Sequence, residues 1–319
     1  MPAITAAAPG KIILFGEHAV VYGRPAIAVP VLQVKAKCII TPNLHGEPGQ
    51  INLYAPGIGL KARYDQLPDS HPLAFTVHTA LSALELKHIP AMNIRVTSTI
   101  PPASGLGSGA AVAVAVLRAL PGFLGYPLSD EQVCALAYQV EKLHHGTPSG
   151  IDNTVITYAM PVFFIKDRPI QTFLVPQPFT LVIADTGVRS STRLAVAGVR
   201  KAWEESPDTI DPIFDRIAQL VIKARQSIEG GSPLEIGPLM DENHRLLQRI
   251  GVSSPELDHL VSTAQQAGAL GAKLSGAGLG GNLIALVEPD QAPVVAQALV
   301  DAGAKRTIIT EVKGGNDPG

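Results

Sequence analysis

The 319 residues include only two cysteines, Cys38 and Cys134, and a single tryptophan. The cysteines lie far apart and have no CxxC spacing. This excludes a disulfide framework and a cysteine-built zinc site, and it fits a reducing cytoplasm. Surplus charge is missing too: 25 Lys and Arg stand against 27 Asp and Glu, a net charge of -2. A chain built to hold nucleic acid shows a basic surplus or stripe, so no nucleic-acid partner is expected. An anionic ligand has to be met by a local cluster of cations and backbone donors. Long hydrophobic runs are lacking. Ala110–Leu117 is too short to span a bilayer, and Met1–Pro9 has no basic stretch leading into an apolar one. These features predict a soluble, cytoplasmic protein with no signal peptide and no membrane partner. Apolar residues are plentiful, at 46% against 16% charged, enough to fill a large core and to exclude intrinsic disorder.

Periodicity and turn residues give a coarse map. Lys11–Phe15 is a short β-branched run between Gly10 and Gly16 and predicts a buried strand. Pro25–Gln33, Ala36–Ile40, Ile94–Ser98 and Pro161–Ile165 predict further strands. The alanine-rich Ala110–Leu120 predicts a buried helix. A second helix is predicted from Ser129, which has capping-box spacing to Gln132, with Val133, Leu136, Val140 and Leu143 on one face. Gly146–Asn153 predicts a turn. Prolines and loop residues concentrate at Lys166–Pro178, which places a boundary between a domain over 1–170 and one over 171–319. Beyond it, strands are expected at Thr180–Ala184, Leu283–Val287 and Arg306–Glu311, and helices at Ile210–Glu229, Leu257–Gly268 and Gln291–Ala302. Strands mixed with helices without strict alternation predict the α+β class.

The stretch Pro101–Val112, PPASGLGSGAAV, carries the most chemistry. Gly105, Gly107 and Gly109 allow close backbone approach and positive φ, and a helix follows at once. A helix start offers N–H groups and the positive end of a dipole, so the segment is a ready anion site. The GK[ST] ending of a Walker A loop is missing. Gly105, Gly107 and Ala110 fit a loosened dinucleotide fingerprint, but the acidic pair Asp130-Glu131 stands at a helix start rather than after a second strand. For a lone glycine-rich turn, tight strand–helix packing is an equal alternative.

Four segments together resemble the GHMP kinase superfamily, in the form carried by its mevalonate kinase branch. They are Ala8–Val29 (APGKIILFGEHAVVYGRPAIAV), the PPASGLGSGAA loop, Glu141–Asn153 (EKLHHGTPSGIDN) and Lys273–Asn282 (KLSGAGLGGN). Ala184–Arg200 and Met240–Ser253 extend the resemblance over most of the chain. It implies an N-terminal domain like domain 2 of ribosomal protein S5 and a ferredoxin-like C-terminal domain. It also implies ATP and Mg²⁺ as cofactors, mevalonate as substrate and a homodimer. The implied reaction moves the γ-phosphoryl group of ATP to the 5-hydroxyl of mevalonate.

The resemblance also assigns roles. Asp152 matches the catalytic aspartate, which accepts or orients the hydroxyl proton, and Lys11 the lysine that works with it; which of the two activates the hydroxyl stays open. Pro102, Ala103, Ser104, Gly105, Leu106, Gly107, Ser108, Gly109 and Ala110 are expected around the nucleotide, with Ser98 nearby. Glu141 matches the Mg²⁺ ligand. Its usual partner is the second serine of GLGSSAA, and this chain has Gly109 there. Either water fills that coordination position or Ser108 serves instead. Lys11, Glu17, His18, Asp152, Thr192, Ser275, Gly276 and Ala277 are expected on the substrate side, and Arg193 could pair with its carboxylate.

Each residue has a plainer reading: Asp152 as a turn cap, Lys11 as a snorkelling residue at a core edge, His18 as a satisfied structural histidine. The pair His144-His145 lacks spaced companions for zinc and reads as structural. The rival functions are phosphomevalonate kinase, mevalonate 3-kinase, mevalonate diphosphate decarboxylase and a non-catalytic sensor of ATP and metabolite. GEHAVVYG and HGTPSGIDN favour the 5-kinase, and Lys11, Glu141 and Asp152 speak against a sensor.

Overall fold

The computed structural model describes residues 2–86, 88–102, 104–145, 149–189 and 191–314. Ala103 and the side chains of His144 and His145 lie outside the described residues. The chain forms two units. The first comprises Met1–Gly10 and Val34–Ala159, the second Lys11–Gln33 and Met160–Gly319. Strands β1 (Ile4–Phe15) and β2 (Ala26–Pro42) each run from one unit into the other.

The first unit continues with β3 (Ile51–Ala55), β4 (Leu60–Arg63), α1 (Pro72–Ser82), β5 (Met92–Ser98), α2 (Ser108–Leu124), α3 (Asp130–His145) and α4 (Ile151–Tyr158). Its strands lie in the order β4-β3-β5-β2. β5 is parallel to β3 and antiparallel to β2, with Ala36 opposite Ser98 and Pro42 opposite Met92. β2 is one strand of 17 residues where the sequence predicts two. From Ala26 to Val31 every residue is buried, and from Gln33 to Ile40 buried and more exposed positions alternate. The two predicted strands are this switch from two covered faces to one, with no break in the backbone.

Helix α2 is the core of this unit. Ala111, Val114, Ala115, Val116 and Leu117 are all fully buried, as expected of a helix that is apolar all round. Helices α1, α3 and α4 pack against it. The capping box at the start of α3 forms as the spacing predicts: Ser129 N donates to Gln132 Oε1 at 2.9 Å, and Gln132 N to Ser129 Oγ at 3.3 Å.

The second unit adds β6 (Val162–Phe164), β7 (Gln171–Thr172), β8 (Phe179–Asp185), α5 (Thr192–Glu205), α6 (Pro207–Glu229), α7 (Ile236–Arg249), α8 (Pro255–Gln266), β9 (Gly271–Ser275), β10 (Asn282–Val287), α9 (Ala292–Asp301) and β11 (Arg306–Val312). Lys11–Gln33 joins this unit because Ala26–Ala28 of β2 pairs with β6. The last four strands form an antiparallel sheet in the order β11-β8-β10-β9. Numbered along the chain that order is 4-1-3-2, the ferredoxin-like arrangement. With helices packed on sheets, the fold is α+β. No helix among the described residues is long and apolar enough to cross a membrane.

The segment predicted as a turn is helical at its end, and two residues expected on the substrate side open another helix. Asp152 lies in the first turn of α4, and Thr192 and Arg193 open α5. In α4 the helix is started by Gly150, which adopts φ +87, and is short at eight residues. α5 is capped by Ser191, whose side chain accepts from Leu194 N at 3.3 Å.

Candidate active site

In the first unit the glycine-rich segment delivers the chain into α2. Leu106 is buried and anchors the loop, while Gly105 and Gly107 on either side of it adopt φ of +75 and +74. Gly107 occupies the N-cap in the left-handed region, and its carbonyl accepts from Ala111 N at 2.9 Å. A side chain at that φ would be strained, so glycine is required. Ser104 Oγ donates to Pro101 O at 2.7 Å and closes the turn before it. The N–H groups of the first turn of a helix have no acceptor within the helix, and the dipole adds positive potential there. Of the residues expected around a nucleotide, Ser108, Gly109 and Ala110 carry these first-turn N–H groups, and Ser104–Gly107 form the turn that leads into them, so the segment makes a backbone cradle. Ser98 stands at the end of β5, exposed, with its hydroxyl accepting from Ile100 N at 3.1 Å.

Glu141, on α3, is buried. A methyl group added at Gly109 would meet one atom within 4 Å, Glu141 Oε1 at 3.8 Å. The carboxylate therefore faces the first turn of α2, next to the cradle. One buried carboxylate beside a cradle of backbone donors suits Mg²⁺, which keeps several waters and takes few protein ligands. Gly109 itself offers no side-chain ligand, and among the described residues no group of three His, Cys, Asp or Glu could hold a metal.

Asp152 is partly buried in the first turn of α4. Its neighbours fix that turn. Asn153 Nδ2 donates to Cys134 O on α3 at 3.2 Å, Thr154 Oγ1 donates to Gly150 O at 2.8 Å, and Ile151 N donates to Ser149 Oγ at 3.3 Å.

In the second unit the turn after β1 meets the loop after β9. Lys11, Glu17, His18 and Ser275 are all buried. His18 Nε2 contacts Ala277 O at 2.9 Å. A carbonyl only accepts, so Nε2 carries the proton and Nδ1 is the acceptor nitrogen. Burial pushes the His18 pKa below its usual 6.5, while the Ala277 bond and Glu17 pull the other way. His18 also holds φ +59, uncommon for a residue with a side chain. Ser275 Oγ donates to Ile13 O at 2.7 Å. The loop is further held by Leu279 N donating to Val252 O at 2.8 Å, Gly281 N to Val188 O at 3.0 Å and Thr186 Oγ1 to Gly281 O at 3.0 Å. Thr192 and Arg193 are exposed in the first turn of α5.

Sequence reasoning missed the groups that support this loop. Lys273 is fully buried and donates to Glu17 Oε1 and, at 2.6 Å, to Leu274 O. Asn243 Nδ2 donates to Glu17 Oε2 at 3.4 Å. The carboxylate expected to face a substrate is thus taken up by two side chains inside the unit. Helix α7 serves β9 directly. Ala272 N donates to Asp241 Oδ1 at 2.8 Å and Leu274 N to His244 Nδ1 at 3.3 Å. His244 Nε2 then donates to Asp258 Oδ1 at 3.1 Å. The close approach needs two glycines, since a Cβ on Gly237 would lie 2.3 Å from Leu270 O and one on Gly271 2.1 Å from Gly237 O. The available signal was a lysine inside an apolar strand that leads into a glycine-rich loop.

Comparison with known proteins agrees with this geometry. The family of GHMP kinases N terminal domains matches residues 74–160, and that of GHMP kinases C terminal domains matches residues 224–305. A mevalonate kinase of Thermococcus sibiricus is 39% identical over 97% of this chain and 96% of its own length. Among solved structures, L. major mevalonate kinase in complex with R-mevalonate is similar at a TM-score of 0.84 and 31% identity, covering 98% of this chain and 97% of that one. Methanococcus jannaschii mevalonate kinase matches at a TM-score of 0.84 and 25% identity, over 99% of both chains.

Proposed function

We infer that this chain works as its family does: it belongs to the mevalonate kinases, a branch of the GHMP kinases. It is a kinase that phosphorylates mevalonate with ATP. The acceptor is the 5-hydroxyl of (R)-mevalonate, and the product is 5-phosphomevalonate. The observation that carries this reading is the near-complete overlap with mevalonate kinases, together with a glycine-rich cradle that faces a buried carboxylate.

Phosphoryl transfer asks a protein for positioning and for charge neutralisation more than for covalent chemistry. The backbone N–H groups of Ser104–Ala110 grip the triphosphate, with Pro102 and Ser98 beside the nucleotide. Glu141 would hold Mg²⁺, with Ser108 or a water in the place left by Gly109, and the ion would supply neutralisation of phosphate charge. Asp152 accepts the proton of the acceptor hydroxyl or orients that hydroxyl. Lys11 stabilises charge on the transferring group. His18, Ser275, Gly276, Ala277 and Thr192 orient mevalonate, with His18 Nδ1 suited to accept from a substrate hydroxyl. The protein works in the cytoplasm as a homodimer, which sedimentation of the intact chain checks.

The test is ADP release with mevalonate, phosphomevalonate and galactose offered separately. Turnover is expected with mevalonate. Asp152→Asn should lower kcat by at least about 100-fold while ATP still binds. Full activity of that variant removes Asp152 from the mechanism, and turnover with phosphomevalonate alone overturns the substrate.

A further inference from the structure

Two charges in the second unit have no role in the reaction above. Glu17 and Lys273 are 1% and 0% exposed, and each is bonded to the other. Asn243 Nδ2 donates to Glu17 and Leu274 O accepts from Lys273, and the Phe15 ring centre lies 5.9 Å from Lys273 Nζ. Burial pushes the lysine pKa down, and Glu17 opposes that shift. An ion pair so far from water is a poor source of stability, because an apolar pair of like volume is often as stable or more so. What an ion pair adds is direction: only one arrangement satisfies both groups.

Its place in the chain says what it directs. Glu17 immediately precedes His18, and Lys273 lies two residues before Ser275. The same two segments are joined twice more, by His18 to Ala277 and by Ser275 to Ile13. We propose that Glu17 and Lys273 are a positioning pair for phosphoryl transfer, fixing His18 and the Ser275–Gly281 loop in one register, and that Glu17 does not touch the substrate. This deepens the functional reading above and rests on it.

The experiment is a double-mutant cycle with Glu17→Gln, Lys273→Met and both together, read as kcat and KM for mevalonate at saturating ATP, with ADP affinity and thermal unfolding alongside. The unaltered enzyme is the control for the reading beneath: if it does not turn over mevalonate, that reading fails and the pair is not in question. Each single variant should lose about 100-fold in kcat/KM, the scale of a misplacement of about 1 Å. The double should lose no more than the worse single, with ADP affinity kept. Losses that multiply in the double mean that each group meets the substrate separately, and they overturn the proposal. So does a folded double variant with full kcat/KM. Should Lys273→Met fail to fold alone, because it strands a buried carboxylate, Glu17→Asp replaces it. That variant keeps the charge and shifts the pair, so kcat must fall at unchanged KM for ATP; an unchanged kcat overturns the proposal.

Discussion

Gly276 and Gly278 stand two residues apart in the loop after β9, with φ of +91 and +76. Replacing either by alanine imposes positive φ on a residue with a Cβ, at about 1–2 kcal/mol. Their surroundings differ. A Cβ on Gly276 has nothing within 4 Å, whereas one on Gly278 would lie 1.9 Å from Val252 O. That oxygen is main chain and cannot rotate away. It also accepts from Leu279 N at 2.8 Å, so moving the loop off it loses a hydrogen bond worth about 1 kcal/mol. Gly278→Ala should therefore cost about 2–3 kcal/mol and Gly276→Ala about 1–2, on the scale of 2–4 °C of Tm per kcal/mol. Where the loop moves instead of the protein unfolding, kcat/KM for mevalonate should fall by about 100-fold in Gly278→Ala. Circular-dichroism melting and mevalonate-dependent ADP release report both outcomes. Leu279, already at φ +56 in the same loop, sets the scale of strain the segment tolerates. Two variants that match in both Tm and kcat/KM would refute the reasoning.

Gly109→Ser places its Cβ where Glu141 Oε1, at 3.8 Å, is the one contact within 4 Å among the described residues, so it should fold, gain about 0.5 kcal/mol of helix propensity and lower the Mg²⁺ concentration needed for half-maximal rate. A raised requirement, measured by Mg²⁺ titration at fixed ATP, would separate Gly109 from the metal. Stability should decline as pH falls below 6.5. His244 is held neutral by accepting from Leu274 N, and burial, the largest influence on it, puts its folded pKa below the usual 6.5. The unfolded chain then binds more protons through that window, so protonation favours unfolding. His244→Gln should flatten the slope between pH 7 and the folded pKa in denaturant titrations; an unaltered slope would assign it elsewhere.

Much of the fold was legible because local signals agree with tertiary placement. The alanine-rich α2 and the Ser129 capping box read correctly from residues alone. β2 read as two strands because its burial pattern changes at Leu32, and periodicity cannot tell such a change from a break. α4 was hidden because its eight residues follow a glycine that also reads as a turn. α7 carries Asp241, Asn243 and His244, polar residues that a solvent-facing reading discards, yet their partners are a strand and a buried glutamate. The glycine cradle was visible in spacing. The Glu17–Lys273 pair was not, since residues 256 apart in sequence leave no local trace of their contact.

The bonds from Asp241 and His244 to β9 have a consequence beyond the loop. β9 ends the four-stranded sheet, and a terminal strand ordinarily presents a row of unpaired donors that a strand of another molecule can extend. Here the two donors that point away from β10, at Ala272 and Leu274, are occupied by side chains of a helix seated against the strand through paired glycines. An incoming chain finds no ladder to continue, so this border of the sheet is closed to templated growth and to strand exchange between copies.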